Sequence, residues 1–167
     1  VWLYEKCDQT SFLDAHVRAF KAIGGVAQRV VYDNLSLAVK KVVGSQRELT
    51  ERFKTLVSHY VYEPCFTRVG EGHDKGAVEN AGKNIRLQHL VPIPRGDNLR
   101  EISEAVLKEL EASYEKKFNS EKISVASMFA EEKKYLNPLP IVEFDPRKVV
   151  MCAVSNKALV RIEGADY

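Results

Sequence analysis

"VAQRVVYDN", residues 26 to 34, is the stretch on which the fold turns. Val30, Val31 and Tyr32 run almost without a polar break, as in a strand covered on both faces, and the run ends at Asp33 and Asn34. Strands of that kind belong to α/β sheets, which hold ligands at the carboxyl ends of their strands. An acid and an amide at that position carry two readings. They are the start of a turn, because both side chains bond readily to their own backbone, or they are the polar part of a site.

Working outward, Asp8, Thr10 or Ser11 can cap a helix with Phe12, Leu13, His16, Val17, Phe20 and Ile23 on one face, stopped by Gly24-Gly25. Trp2 and Tyr4 alternate on an extended N-terminal piece and are expected to pack on a sheet. His16 reads as a hydrogen-bonded core residue rather than a ligand. Beyond Asp33, "NLSLAVKKVVG" reads as a short helix or loop. "SQRELTERFKTLVSHY" carries Leu49, Phe53, Leu56, Val57 and Tyr60 at helical spacing, with Ser45 and Glu48 in the pattern of a capping box. "YEPCFTRV" is extended and broken by Pro64, "GEGHDKG" is a loop, and a helix is expected from Lys75 to about Leu90, before Pro92 and Pro94. Further helices are expected at about Leu99–Phe118 and Val125–Tyr135. "NPLPIVEFDP" reads as a linker, and the tail as two strands joined at Ser155-Asn156.

The bulk composition excludes several classes. No apolar run approaches the roughly 18 to 20 residues of a membrane span, and the N-terminus lacks a signal pattern, so a cytoplasmic protein without a membrane partner is the default. A net charge of +2 in 167 residues does not by itself imply nucleic acid. Cys7, Cys65 and Cys152 are odd in number and far apart, against a disulfide framework or a zinc ribbon, and His59, Cys65, His73 and His89 match no finger spacing. The first residue is Val1, which implies a start further upstream or an unusual start codon.

A second carboxylate stands out in "DKGAVEN". Glu79 falls early on the helix expected from Lys75, with Lys83 at i+4 and Arg86 at i+7 on its face, while Val78, Ala81, Gly82 and Ile85 form the other. Should Asp33 and Glu79 converge, they form a hard oxygen site of the kind that suits Mg²⁺. Two such ions, about 3.5–4 Å apart, stabilise both oxygens of a displacement at phosphate. The plainer reading makes Glu79 a partner of the helix dipole, and Lys83 and Arg86 a solvated face.

The order "HVRAFKAIGG", "VAQRVVYDN", "HYVYEPCFTRVGEGHDKGAVEN" and "FAEEKKYLNPLP" resembles the IstA-type transposases of bacterial insertion sequences, within the DDE integrase superfamily. The likeness extends over nearly the whole chain. It implies an α/β fold, a partial RNase H-like integrase core over residues 1–118 with its trailing helix. A helical, proline-containing linker at 119–140 and the start of a truncated C-terminal β-barrel domain at 141–167 would follow. It implies metal-dependent phosphodiester hydrolysis and strand transfer at the ends of the element. Asp33 and Glu79 would be the second and third of three carboxylates, on Mg²⁺ or Mn²⁺ in a two-ion site. The first carboxylate belongs on an upstream strand. Asp8 and Asp14 fall at the start of, or within, a helix, the wrong element, so this chain is expected to be a fragment, inactive alone, without the family's helix-turn-helix.

Asn34 and Asn80 either orient a ligand or water beside the acids or cap their own backbone. Arg68, His73 and Lys75 are candidates for phosphate contact near the cleaved bond, against a polar surface loop. Lys83, Arg86, Arg95 and Arg100, facing the single acid Asp97 in that stretch, can follow a DNA backbone. The partners implied are DNA ends and target, further transposase subunits and an ATP-dependent helper, in the bacterial cytoplasm at the nucleoid. No Walker loop is present, so nucleotide hydrolysis is not assigned to this chain. The rival reading is a remnant that binds DNA or assembles without cutting.

Overall fold

The computed structural model describes residues 1–32, 36–43, 46–67, 76–114, 117–118, 123–162 and 164–166; for 43, 46, 76–79, 81, 117, 118 and 166 it describes the backbone alone. The chain is mixed α/β. Its elements run α1 (Gln9–Ile23), β1 (Arg29–Tyr32), β2 (Val39–Val43), β3 (Gln46–Leu49), α2 (Glu51–Tyr60), β4 (Glu63–Phe66), α3 (Gly76–His89) and α4 (Leu99–Ser113). Then come β5 (Lys117–Phe118), β6 (Ile123–Ser124), α5 (Val125–Glu132) with a 3₁₀ turn at Lys133–Tyr135, β7 (Arg161–Ile162) and β8 (Ala165–Asp166).

α1 forms where its end signals place it. The Asp8 carboxylate accepts from the Ser11 N–H at 2.8 Å, and Gly24 takes φ +70° to close the last turn. Its apolar face buries Leu13, Val17 and Phe20 against Phe53, Leu56 and Tyr60 of α2, Tyr32 of β1 and Tyr62 ahead of β4. Phe53, Leu13 and Leu56 are wholly buried; side chains of that size each contribute about 1.5–3 kcal/mol by leaving water. Rings of α1, β1 and α2 interlock there, Tyr32 meeting Phe53 edge-on at 5.1 Å and Phe20 lying 4.8 Å from Tyr60.

β1 and β4 pair in parallel, Arg29 opposite Glu63 and Tyr32 opposite Phe66. β1 is covered on one face rather than two: Tyr32 is buried, but Val31 is 65% exposed, because Arg29 and Val31 point away from the helices. Pro64 does not break β4. Glu63 and Thr67 direct their N–H groups to Gln28 and Tyr32 of the β1 side, so the nitrogen between them at Pro64 faces outward, where no ladder donor is needed.

Residues 39–49 differ most from expectation. In place of a helix or loop followed by the start of a helix, β2 and β3 form an antiparallel hairpin with an irregularity between Val39 and Lys41. Val39 pairs with Leu49 over the core, the Thr50 N–H donates to the Ala38 carbonyl at 2.9 Å, and Glu48 pairs with Lys40 rather than serving a capping box. α2 therefore starts at Glu51, and Ser45 lies outside the described residues. α4 likewise ends at Ser113 instead of reaching Phe118, since Phe118 pairs with Ile123 in a short β5–β6 ladder. Trp2 and Tyr4 lie on α1, not on a sheet: the Arg18 guanidinium sits 4.1 Å above the Trp2 ring, and the Tyr4 hydroxyl donates to Asp14 at 2.8 Å. Burial, then the Asp14 bond, raises the Tyr4 pKa.

After α5, residues 136–146 lie along α1 and α2. Asn137 and Val26 exchange two backbone hydrogen bonds, Lys21 pairs with Glu143, and His59 bonds the Val142 carbonyl and stacks edge-on against Phe144. Arg52 donates to the Pro146 carbonyl and to the side chains of Gln9 and Thr10. The tail shows a turn at 155–158, closed by a bridge between Val154 and Val160, and the two-residue strands β7 and β8.

Candidate functional site

The carboxyl edge of β1 and β4 is where the sequence concentrates its polar candidates. Tyr32 and Phe66, the last residues of the two strands, stand opposite one another, and the Thr67 N–H donates to the Tyr32 carbonyl at 2.9 Å. Both strands therefore leave the pair at one edge. The residue after Tyr32 is Asp33, and the segment after Thr67 leads to α3, whose fourth residue is Glu79. Asp33, Asn34, Arg68, His73 and Lys75 lie outside the described residues, as does the side chain of Glu79.

Beneath that edge sits a buried polar chain. The Tyr32 hydroxyl lies 2.9 Å from His16 Nε2 and 2.8 Å from the Tyr62 hydroxyl, and His16 Nδ1 lies 2.7 Å from the Phe12 carbonyl. A carbonyl only accepts, so Nδ1 carries the proton. Burial lowers the His16 pKa and keeps the ring neutral, leaving Nε2 to accept from Tyr32. Tyr32 in turn accepts from Tyr62. Burial also raises both phenols, Tyr62 to about 12, so neither ionises near neutrality. The chain ties α1, the end of β1 and the approach to β4 into one unit, and His16 has the core role its helical position implies.

The basic candidates are spread over three places. Lys83 and Arg86 are exposed on α3 and line an open hollow with Gly82 and Leu87, and Asn80 is exposed on the same helix. Arg95 is exposed between α3 and α4. Arg100 is exposed on α4 but pairs with Glu104 at 2.8 Å. α3 is tied to α4 by His89, whose ring nitrogen is 3.0 Å from Glu109. Asp8 and Asp14 are both engaged in α1, as its cap and as the partner of Tyr4 and Arg18. Cys7, Cys65 and Cys152 are free thiols. Among the described residues, no group of three or more His, Cys, Asp or Glu is placed to hold a metal ion.

Arg47 is the residue that sequence reasoning missed. Read as part of a helix start, it stands instead on β3, donates to the Thr67 carbonyl at 3.3 Å and lies 5.8 Å from the Phe66 ring centre. The signal that could have found it is the β-branched run Val39, Val42 and Val43, which suits a strand better than a loop.

Comparison with known proteins finds transposases. The chain is 31% identical over 148 residues to a transposase of Aminobacter aminovorans and 30% identical over 156 residues to the transposase for insertion sequences IS1326/IS1353 of Pseudomonas aeruginosa. It is 26% identical over 168 residues to the transposase for insertion sequence element IS21 of the same organism. The chain is similar to insertion-sequence transposases. These matches cover 84%, 92% and 100% of it, so the likeness is not confined to one motif. The same alignments span 29%, 31% and 43% of the three relatives, and the chain thus corresponds to less than half of each. No family model matches it. Among the described residues, no helix is long and apolar enough to cross a membrane.

Proposed function

We propose that this chain supplies the second and third carboxylates, Asp33 and Glu79, of a divalent-metal centre that cuts and joins DNA at the ends of an insertion sequence. The observation that carries the reading is the parallel register of β1 and β4. It brings the residues before Asp33 and before the α3 segment to one edge, where α/β sheets hold their ligands. The succession of α1, β1, α2, β4 and α3, with the acids after β1 and early in α3, supports an RNase H-like integrase core. A C-terminal β domain beginning near residue 141 completes the reading.

The donor set fits Mg²⁺ or Mn²⁺: the two carboxylates are hard oxygen donors, and the amides of Asn34 and Asn80 orient a ligand or water beside them. When bound, the ions offset the charge that develops on a phosphate under attack. The protein's own tasks are to hold those donors on a rigid edge and to hold DNA against it. The His16–Tyr32–Tyr62 chain serves the first. Arg68, His73 and Lys75 approach the phosphate near the cleaved bond, and Lys83 and Arg86, continued by Arg95 and Arg100, follow the backbone beyond it. Each such contact adds affinity that is independent of sequence and sensitive to salt. Asp8 and Asp14 are engaged elsewhere and do not supply the first carboxylate, so strand transfer by this chain alone is not expected. Partners on this reading are element ends, target DNA, further transposase copies and an ATP-dependent helper.

The exposure of Lys83 and Arg86 equally favours a chain that associates with DNA without cutting it. Affinity for duplex DNA measured against salt, with and without Mn²⁺, separates the two. Lys83→Ala with Arg86→Ala is expected to flatten the logarithmic salt slope by about 2, roughly one per lost phosphate contact. Asp33→Ala and Glu79→Gln keep that slope but lose a Mn²⁺-dependent gain in affinity. A wild-type chain whose affinity ignores Mn²⁺ supports association only, and a slope indifferent to Lys83 and Arg86 removes α3 from the interface.

A further inference from the structure

The turn between α3 and α4 presents apolar side chains to solvent. Ile93 is 86% exposed, Val91 58%, and Leu87 near the end of α3 55%. Large apolar groups left together in water mark a surface that meets a partner. The turn is held at both ends. The Leu90 N–H donates to the Arg86 carbonyl at 3.0 Å, and Gly96 lies so close to α4 that a Cβ there would stand 2.8 Å from Ile102 Cγ1. Asn98 caps α4 by accepting from the Glu101 N–H, while the Glu101 carboxylate accepts from the Asp97 N–H. Pro92 and Pro94 flank Ile93, each with its own φ fixed, and Pro94 biases Ile93 toward extended backbone. Little conformational freedom is left to lose when such a tip docks.

Its surroundings are cationic. Residues 83–96 hold Lys83, Arg86 and Arg95, all exposed, and no acid. Arg86 stands about 6 Å along the helix from Leu90, and Ile93 is at most about 10 Å beyond that; Arg95 lies within about 7 Å on the other side. Phosphates recur about every 3.4 Å along a DNA strand, so Arg86 and Arg95 fall within about five base-pair steps of Ile93. A protein groove could take an apolar tip as well, but a run of cations without an acid favours a polyanion.

We propose that Ile93 is a wedge that enters duplex DNA between two base pairs, with Lys83, Arg86 and Arg95 on the phosphates around it. The proposal rests on the reading of α3 as a DNA-facing helix. Apolar side chains inserted from the minor groove partly unstack a step and kink the duplex, and the kinked duplex wraps more of the protein surface. Unstacking costs least at flexible pyrimidine–purine steps. The wedge therefore selects where the DNA bends without reading a base edge.

Fluorescence of 2-aminopurine, which brightens when the base unstacks, tests this with the full chain and a duplex of about 20 base pairs carrying the probe at a central TA step. Saturating wild type is expected to raise the signal about twofold or more, and less where the probe sits in a stiff A-tract. Ile93→Leu keeps the rise. Ile93→Ser abolishes it and weakens binding by less than about tenfold, because the cost of unstacking goes with the wedge, and it leaves the salt slope unchanged. At so exposed a position both variants should melt as the wild type does. A rise that survives Ile93→Ser overturns the wedge. No rise with wild type, while the salt slope still responds to Lys83→Ala with Arg86→Ala, overturns the wedge and leaves α3 as a DNA-facing helix. A wild type that does not bind the duplex overturns both.

Discussion

Replacing Tyr32 by phenylalanine tests how the carboxyl edge is held. Tyr32 is 6% exposed, and its hydroxyl is the middle member of the chain Tyr62, Tyr32, His16. Phenylalanine fills the same volume but removes a donor from His16 Nε2 and an acceptor from Tyr62, leaving two buried groups without partners. Each stranded group costs about 1–3 kcal/mol, so a loss of about 3 kcal/mol is expected. Tyr62→Phe strands less, since Tyr32 still donates to His16, and about 1 kcal/mol is expected. The double variant should lose less than the sum, because with Tyr62 already altered no hydroxyl is left stranded by the loss of Tyr32. Urea unfolding with an unchanged denaturant slope reads all three, and about 2–4 °C in Tm should accompany each kcal/mol at this chain length. Equal losses for the two single variants, or strict additivity in the double, would refute the assigned order of the chain.

Acid should weaken the fold through His16. Burial holds its folded pKa below that of the unfolded chain, so the unfolded state takes up the proton first as pH falls. The stability that neutral His16 brings is whole above about pH 6.5 and drains below it, by at most about 1.4 kcal/mol per pH unit, down to the folded pKa. Unfolding at a series of pH values checks this, and His16→Gln should flatten that part of the curve. Gly25→Ala would put a methyl 2.7 Å from Leu136 Cβ and 3.1 Å from the Asn137 carbonyl, at an expected loss of about 1–3 kcal/mol in thermal melts. Gly82→Ala meets nothing within 4 Å on the exposed side of α3 and should gain about 0.5–1 kcal/mol. Phe144→Ala, which removes the ring that residues 136–146 lay on the core, should lose about 2 kcal/mol and speed amide exchange at Asn137 and Val26.

Much of the fold is legible where the signals are local. Asp8 and Gly24 bound α1 because a cap and a left-handed glycine act within one turn. The start of α3, the 3₁₀ end of α5 and the run Arg29–Tyr32 follow in the same way. Expectation fails where partners distant in sequence decide. Leu49 fits a helical face with Phe53 and Leu56 equally well, and only its pairing with Val39 makes it a strand residue. Phe118 continues the apolar spacing of α4, yet Ile123 takes it into a ladder. Tyr4 alternates with Trp2 as strand residues do, but Asp14 and Arg18 on α1 are the partners they find. Of the proposed site, the two acids and the bases of α3 stand out in the sequence; Lys83 and Arg86 are exposed on α3, while Asp33 and the side chain of Glu79 lie outside the described residues. The buried chain behind Tyr32 and the position of Arg47 were not visible, because both depend on elements that meet only in three dimensions.

The most direct measurement is paramagnetic broadening of backbone amide resonances by Mn²⁺. Trace Mn²⁺ is expected to broaden the signals of Asp33 and Glu79 together, and either Asp33→Asn or Glu79→Gln to remove the effect at both. Broadening at one acid only, or the same pattern with either acid neutralised, would contradict a shared ion at the strand edge.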